Sequence, residues 1–209
     1  MKLLLAGATG LVGRHVLRLA LADARVTTVV ALARKPLPAH PKLIAPSVDF
    51  DALALDATWW RADAVICALG TTMKVAGSQA AFRQVDFDYP LTVARLARAA
   101  GTPAYVLNSA AGANASSRFF YNRVKGELEV ELATLGFASL TQVRPGLIGG
   151  ERESVRAGEA ALAFVLGALA PVLPARWRIN PAERIAQALL EAALLATPGV
   201  RVITSDHLT

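Results

Sequence analysis

The chain has 209 residues with a formal net charge of +6, and 54% of its residues are apolar while 18% are charged. This length suits one domain with one hydrophobic core, and the composition excludes a disordered chain. The arginines are scattered through periodic segments, and the apolar runs are shorter than the roughly 18 residues of a membrane-spanning helix, so we expect neither nucleic acid nor a transmembrane segment.

Short apolar runs alternate along the chain with amphipathic or alanine-rich stretches, which is typical of β-α-β units on a parallel sheet. No linker interrupts this alternation, so we predict a single α/β domain with a doubly wound, mostly parallel sheet in three layers. Residues 149–180 would form a small substrate-side portion. The predicted strands are residues 2–6, 26–33, 42–48, 64–68, 104–108, 140–144 and 200–204. The predicted helices are residues 10–22, 51–58, 79–100, 117–135, 156–173 and 181–196.

A glycine-rich run, GATGLVG at residues 7–13, joins the first predicted strand to an amphipathic helix. Gly7 would permit a tight turn, Gly10 would let the backbone approach a pyrophosphate, and Gly13 would let the helix pack closely. The free N–H groups at a helix N-terminus favour phosphates. This order of strand, glycines and helix predicts a dinucleotide-binding Rossmann sheet. The predicted cofactor-binding residues here are Gly7, Thr9, Gly10, Leu11, Val12 and Gly13.

Arg34 and Lys35 follow the second predicted strand, where NAD-binding proteins carry an acidic residue for the ribose 2′-hydroxyl. A guanidinium suits a 2′-phosphate, whereas a carboxylate would repel it. We therefore expect Arg34 and Lys35 to bind NADP(H) in preference to NAD(H). The alternative is that Arg34 is a solvated surface charge.

Cys67 is the single cysteine and lies in an apolar run. It cannot form an intramolecular disulfide, so a reducing compartment is favoured and we expect the protein in the cytoplasm. The opening residues MKLLL are predicted as a strand rather than a secretory signal, because cleavage would destroy the glycine run. His15 and His207 have no ligand cluster at suitable spacing, so no metal site is expected.

Ser109 ends the fifth predicted strand, and Tyr121 and Lys125 lie on the next predicted helix. Residues four apart share a helix face, so the Lys125 ammonium would favour the Tyr121 phenolate and assist proton transfer. Ser109 would hydrogen-bond a substrate oxygen where negative charge develops. We predict Ser109, Tyr121 and Lys125 as catalytic residues. The alternative is a surface Tyr-Lys pair with the lysine in solvent.

Four features occur in a characteristic order: the glycine run, Ser109, the YNRVK segment at residues 121–125, and Arg144-Pro145-Gly146. In these the chain resembles the short-chain dehydrogenase/reductase superfamily, in its atypical branch. The stretches CALGTT, VDFDYP and FYNRVKGELE, at residues 67–72, 85–90 and 120–129, are similar to the subgroup around the Tat-interacting oxidoreductase and its small bacterial relatives. The resemblance covers nearly the whole chain.

The resemblance implies further contacts with the cofactor. Asp49 would lie near the adenine, and Lys125 would hold the nicotinamide ribose. Asp86 stands where many extended relatives carry an asparagine that completes a proton relay, so this chain departs from that tetrad. The other residues implied to line the cofactor are Ala68, Leu69, Gly70, Pro145, Gly146 and Leu147.

Three functions are compatible with these motifs. The leading hypothesis is an NADPH-dependent carbonyl reductase acting on an unidentified small molecule, which the intact Ser-Tyr-Lys set favours. The second is a regulatory protein that binds NADP(H) and a protein partner without turnover, which Asp86 and the short C-terminal portion favour. The third is a non-redox isomerase or dehydratase that retains NADP. The apolar helix predicted at residues 156–173 would cover the sheet or form an oligomer contact, such as that of a homodimer.

Overall fold

A parallel β-sheet forms the centre of the protein in the computed structural model, which describes residues 1–149 and 179–208. Seven of the described strands form this sheet, in the order β3-β2-β1-β4-β5-β6-β9, and every neighbouring pair is parallel. Strands β7 and β8 pair separately, also in parallel. The strands are β1 Lys2–Ala6, β2 Thr28–Leu32, β3 Leu43–Ile44, β4 Ala64–Cys67, β5 Ala104–Asn108, β6 Ser139–Arg144, β7 Leu147–Gly149, β8 Ile179–Pro181 and β9 Gly199–Thr204.

The helices lie on both faces of the sheet, as the alternating sequence pattern predicts. A π-helical turn, Gln84–Asp88, joins α3 to α4, and short 3₁₀ helices occur at Thr58–Trp60 and Ser205–Leu208. The α-helices are α1 Leu11–Ala22, α2 Met73–Ala76, α3 Gln79–Arg83, α4 Tyr89–Ala99, α5 Phe120–Thr134 and α6 Ala182–Leu195.

The hydrophobic core has two parts, one on each face of the sheet. Successive side chains of a strand point to opposite faces, so Leu3 and Leu5 pack towards α1 and α6, while Leu4 packs towards α4 and α5. All three leucines are fully buried. Burial on both faces explains why the strands are continuous apolar runs, and it confirms the doubly wound, three-layer α/β fold.

One predicted helix, residues 51–58, is wrong: the chain there forms turns and one short 3₁₀ helix. The Asp51 carboxylate accepts hydrogen bonds from the Tyr89 hydroxyl and Gln84 Nε2, and Trp60 Nε1 donates to the Ala54 carbonyl. Tertiary hydrogen bonds therefore determine the conformation of this segment.

Other differences concern the extent of elements. The strand predicted at residues 42–48 is only two residues long, because Pro46 has no N–H with which to continue the ladder. The predicted helix at residues 79–100 contains the π turn. The predicted helix at residues 156–173 lies outside the described residues. None of the helices in the described ranges is long and apolar enough to cross a membrane.

The parallel arrangement positions the candidate site. The carboxyl ends of β1, β2, β4, β5 and β6 meet along the same edge of the sheet, and the loops after them carry the residues singled out in the sequence. Ligands of such sheets bind outside this edge.

Candidate functional site

The turn after β1 requires glycine at two positions. Gly7 has a φ of +93°, and a Cβ atom there would lie 2.6 Å from the carbonyl carbon of Ala68. A Cβ atom on Gly13 would lie 1.9 Å from the Gly7 carbonyl oxygen. These close approaches pack the start of α1 against the turn and bring the loops after β1 and β4 together.

The third glycine, Gly10, differs because its surroundings are open. It has an ordinary φ of −75° at the N-cap of α1, and a Cβ atom there would meet only the Gly7 oxygen, at 3.4 Å. No side chain caps α1, and its first turn carries no acidic residue. Its N-terminal N–H groups therefore face an exposed turn formed by Thr9 and Gly10, which suits a phosphate group.

Arg34 and Lys35 are exposed immediately beyond β2, as a contact with a 2′-phosphate requires. Burial and the hydrogen bond to Asp51 raise the pKa of Tyr89 to about 12; Asp49 adds to this rise and Arg34 opposes it. Arg34 and Asp49 therefore both lie close enough to Tyr89, the first residue of α4, to act on its charge. This is the region in which the sequence predicts the adenosine part of the cofactor.

A buried ion pair lies beyond the end of β4. Lys125 Nζ is 2.7 Å from Asp86 Oδ1, with 4% and 1% of the side chains exposed. The second oxygen, Asp86 Oδ2, accepts a 2.7 Å hydrogen bond from the Thr71 backbone N–H. Burial opposes the charge of Lys125, but Asp86 and Tyr121 outweigh it, so the pKa of Lys125 is raised.

Gly70 lies close against this ion pair. The residue is exposed, and a Cβ atom there would lie 3.3 Å from Asp86 Oδ1 and 3.8 Å from Lys125 Nζ. Ala68 and Leu69, which precede it, are partly buried. The loop after β4 therefore covers two buried charged groups.

Tyr121 lies one helical turn before Lys125 on α5 and is 38% exposed. Its ring packs against the fully buried Phe82, with the ring centroids 5.6 Å apart. This contact orients the ring, while the helix spacing places Tyr121 and Lys125 on one face. An oriented, accessible phenol beside a buried ammonium is suited to proton transfer.

The sequence predicts that the Ser109 hydroxyl hydrogen-bonds a substrate oxygen. In the structure it instead donates a 2.5 Å hydrogen bond to Glu129 Oε1. Glu129 lies one turn after Lys125 on α5, and its carboxylate is also bound by the Arg144 guanidinium through both oxygens. Sequence reasoning missed Glu129 as a partner of Ser109. The available signal was its position on the same helix face as Tyr121 and Lys125.

The segment after β6 is held by a buried asparagine. Asn180 is fully buried, and its Oδ1 accepts hydrogen bonds from the Gly146 N–H and the Ser205 hydroxyl. The Pro145 carbonyl accepts from the Ala111 N–H at 2.6 Å, and Leu147 begins β7. Pro145, Gly146 and Leu147 therefore lie beside the loop that follows Ser109. Asn180 is a second residue that sequence reasoning missed.

No metal-binding site is evident in the described part of the chain. Within residues 1–149 and 179–208, no group of three or more His, Cys, Asp and Glu side chains could hold a metal ion. Cys67 is buried in β4, and burial raises the pKa of its thiol.

Solved structures resemble this fold at low sequence identity. MoeE5 in complex with UDP-glucose and NAD aligns with a TM-score of 0.73 at 16% identity, over 97% of this chain and 75% of that one. The oxidoreductase ylbE from Lactococcus lactis aligns with a TM-score of 0.69 at 17% identity, over 100% and 94%. At this identity the likeness shows the shared fold.

Curated relatives are more similar in sequence. The chain is 36% identical to protein fmp52, mitochondrial, of Emericella nidulans over 93% of this chain and 88% of that protein. It is 33% identical to the Coccidioides immitis protein of the same name, over 92% and 85%. The mitochondrial naming contradicts the expected cytoplasmic location. A lone buried cysteine does not distinguish between compartments.

The family model described as NAD(P)H-binding matches residues 7–138, which contain the glycine turn, Arg34, the β4 loop and the Tyr121–Lys125 pair. The match covers more than half of the chain, and its motifs are those that resemble the short-chain dehydrogenases/reductases. This chain therefore belongs to the NAD(P)H-binding family.

Proposed function

We propose that the protein is an NADPH-dependent reductase that acts on the carbonyl group of a small molecule. The observation that carries this proposal is the position of Tyr121, which is accessible and lies one helical turn before the buried Lys125–Asp86 pair. Family membership supports the cofactor, and the oxidoreductase ylbE, named above as a structural neighbour, supports the reaction class.

The residues present fit the cofactor at both ends. The uncapped start of α1 and the open position at Gly10 would accept the pyrophosphate, and Arg34 with Lys35 would neutralise a 2′-phosphate. The nicotinamide ribose would lie beside Gly70 and Lys125, as the resemblance implies. When bound, the cofactor supplies the hydride.

The remaining chemistry is a proton transfer that Tyr121 is placed to perform. Its phenol O–H would donate to the substrate oxygen as negative charge develops there, and Lys125 would stabilise the phenolate left behind. The Ser109 hydroxyl gives its hydrogen to Glu129, so towards a substrate it can act only as an acceptor. Tyr121 is therefore the proposed donor to the substrate oxygen.

The hydrogen bond from Ser109 to Glu129 favours a second candidate function. A protein that binds NADP(H) and a partner without turnover needs no donor at this position, and a hydroxyl fixed to Glu129 serves packing alone. Cofactor binding would be retained in such a protein, but NADPH would not be consumed.

Two variants of α5 test the catalytic assignment. Tyr121→Phe keeps the ring and its contact with Phe82, so NADPH affinity should be nearly unchanged while turnover falls by about 10²–10⁴. Lys125→Ala should lower both turnover and NADPH affinity, because it removes the cation that holds the ribose. Cofactor titration and initial rates measure the two effects separately. Wild-type turnover in Tyr121→Phe would exclude Tyr121 as the acid.

A further inference from the structure

We propose that the site beside Tyr121 takes an apolar carbonyl compound, such as a long-chain aldehyde, and not an anionic one. This inference names the substrate class of the proposed reductase and rests on that function. The observation that carries it is a set of exposed apolar side chains on the segments around Tyr121. This set, the apolar rim, consists of Met73, Val75, Phe119 and Leu147.

Phe119 is the rim residue nearest to Tyr121 in the chain. It is the N-cap of α5, two residues before Tyr121, and it is 75% exposed. The rings of Phe120 and Tyr121 both pack against the buried Phe82, with centroids 5.7 and 5.6 Å away. Tyr121 therefore belongs to an aromatic segment of which one ring, Phe119, is left in solvent.

A second part of the rim lies on α2, the short helix that follows the β4 loop. Met73 and Val75 are both exposed there. The helix packs against α3, which carries Phe82, the residue whose ring contacts Tyr121. One packed helix therefore connects Met73 and Val75 to the candidate catalytic residue.

The remaining part of the rim is Leu147, at the start of β7. The loop after β5 links it to α5, because the Ala111 N–H donates to the Pro145 carbonyl and the Asn114 N–H donates to the Asn122 carbonyl. The resemblance places Leu147 beside the cofactor, so it would border both cofactor and substrate. Single exposed apolar residues are common on proteins, but several around one edge indicate a site for an apolar ligand.

The charged side chains near Tyr121 are mostly paired with one another. These pairs leave their cations little attraction for an anionic substrate. In the parts of the chain that the structure describes, α2 and the loop after β5 carry two exposed cations without an ion pair, Lys74 and Arg118. The ion pairs are Lys125–Asp86, Arg144–Glu129 and Arg83–Glu127.

The magnitudes favour an apolar ligand over an anion held by these two cations. An exposed ion pair strengthens binding by about one- to fivefold, whereas each methylene group that leaves water strengthens it by up to about fourfold. A chain of several methylene groups therefore outweighs one exposed ion pair. Apolar side chains around a few polar groups are also the usual lining of a small-molecule site.

A series of aldehydes tests the substrate class. With NADPH present, kcat/KM is measured for straight-chain aldehydes from butanal to octanal and for the matching aldehydes that end in a carboxylate. We expect kcat/KM to rise about two- to fourfold for each added methylene group. The terminal carboxylate should lower it by about tenfold, because a charge must then leave water. No change with chain length, or higher values for the carboxylates, would overturn the inference.

Variants of the rim locate the effect on the protein. Phe119→Ser and Val75→Ser should each lower kcat/KM for octanal by about 3–10-fold and leave that for butanal nearly unchanged, because they remove apolar surface from the rim. The matched control is Val130→Ser, since Val130 is also exposed on α5 but lies about 14 Å beyond Tyr121 along the helix. Equal effects of the rim variants and Val130→Ser would contradict the assignment of the rim.

The two unpaired cations provide the opposite test. The double variant Lys74→Ala with Arg118→Ala should change kcat/KM for octanal by less than about twofold, because neither charge has a partner on an apolar substrate. A much larger loss in this double variant than in Phe119→Ser would favour an anionic substrate and overturn the inference.

Unreactive amides separate this inference from the proposed reductase. Calorimetry of the NADP-loaded protein measures its affinity for butanamide, hexanamide and octanamide, and affinity should rise with chain length. Binding that depends on length, without reduction of any aldehyde, would refute the reductase and still support an apolar ligand. Reduction of aldehydes with no effect of chain length in either series would overturn the inference and leave the reductase.

Discussion

At the scale of single residues, the glycines of the turn after β1 have separate roles that substitution can distinguish. Gly10→Val should leave the protein folded, because the nearest atom to the new Cβ lies 3.4 Å away, yet it should abolish NADPH binding. Gly13→Ala should destabilise the protein by about 1–3 kcal/mol or more, because its Cβ would overlap the Gly7 oxygen. Calorimetric titration and urea unfolding measure both effects. Retained NADPH affinity in Gly10→Val would show that the phosphates bind elsewhere.

The proposed preference for NADPH assigns a role to another small set of side chains. Arg34→Ala should weaken NADPH binding while leaving NADH binding almost unchanged, because only NADPH carries the 2′-phosphate. Arg61→Ala is the control, since Arg61 is also exposed but precedes β4, at the opposite edge of the sheet. The comparison requires titration of each variant with both cofactors. Equal wild-type affinities for NADPH and NADH would contradict the assignment of Arg34.

Residue types and order sufficed to predict three positions: the glycine turn after β1, Arg34 beyond β2, and Tyr121 with Lys125 on one helix. These positions depend on local backbone geometry. The partners of Ser109 and Lys125 could not be predicted in this way. Glu129 and Asp86 are identified by the direction of buried side chains, which depends on how α5 and the π turn pack on the sheet.

At the scale of elements, α5 connects the candidate site to the sheet. Glu129 on this helix accepts hydrogen bonds from Ser109 beyond β5 and from Arg144 at the end of β6. A buried carboxylate with two such partners ties three elements together. Its removal should therefore affect stability as well as the site.

A double-mutant cycle measures this connection. Ser109→Ala should cost about 1.5–3 kcal/mol, the usual value for a hydrogen bond to a charged group, and Glu129→Gln should cost a similar amount or more. The double variant should lose less unfolding free energy than the sum of the two single-variant losses, because both substitutions remove the same contact. Ser116→Ala, at an exposed position before α5, is the control and should be nearly neutral. If the losses of unfolding free energy measured in urea were additive, Ser109 and Glu129 would not be coupled.

Prediction of elements succeeded where the pattern was strong and failed where tertiary contacts prevailed. The strands predicted at residues 2–6 and 104–108 are confirmed, because they are apolar runs buried on both faces. The helix predicted at residues 51–58 fails because Asp51 is bound to Tyr89 and Gln84 of other elements. Strands β7 and β8 were missed because three-residue strands leave no periodicity.

At the scale of the whole molecule, the parallel sheet gathers the glycine turn, Arg34, the Lys125–Asp86 pair and Tyr121 along one edge, although they span residues 7–125 of the chain. The residues that match the NAD(P)H-binding family, 7–138, contain all of these features.

The most direct test of the proposed reductase is a screen of aldehydes and ketones with the purified protein, in which NADPH consumption is followed by absorbance. We expect at least one carbonyl class to accelerate NADPH consumption by the wild type, and NADH to support the reaction less well. Tyr121→Phe should reduce this rate by about 10²–10⁴. Tight NADPH binding with no consumption by any carbonyl compound, or equal rates in wild type and Tyr121→Phe, would contradict the proposed reductase.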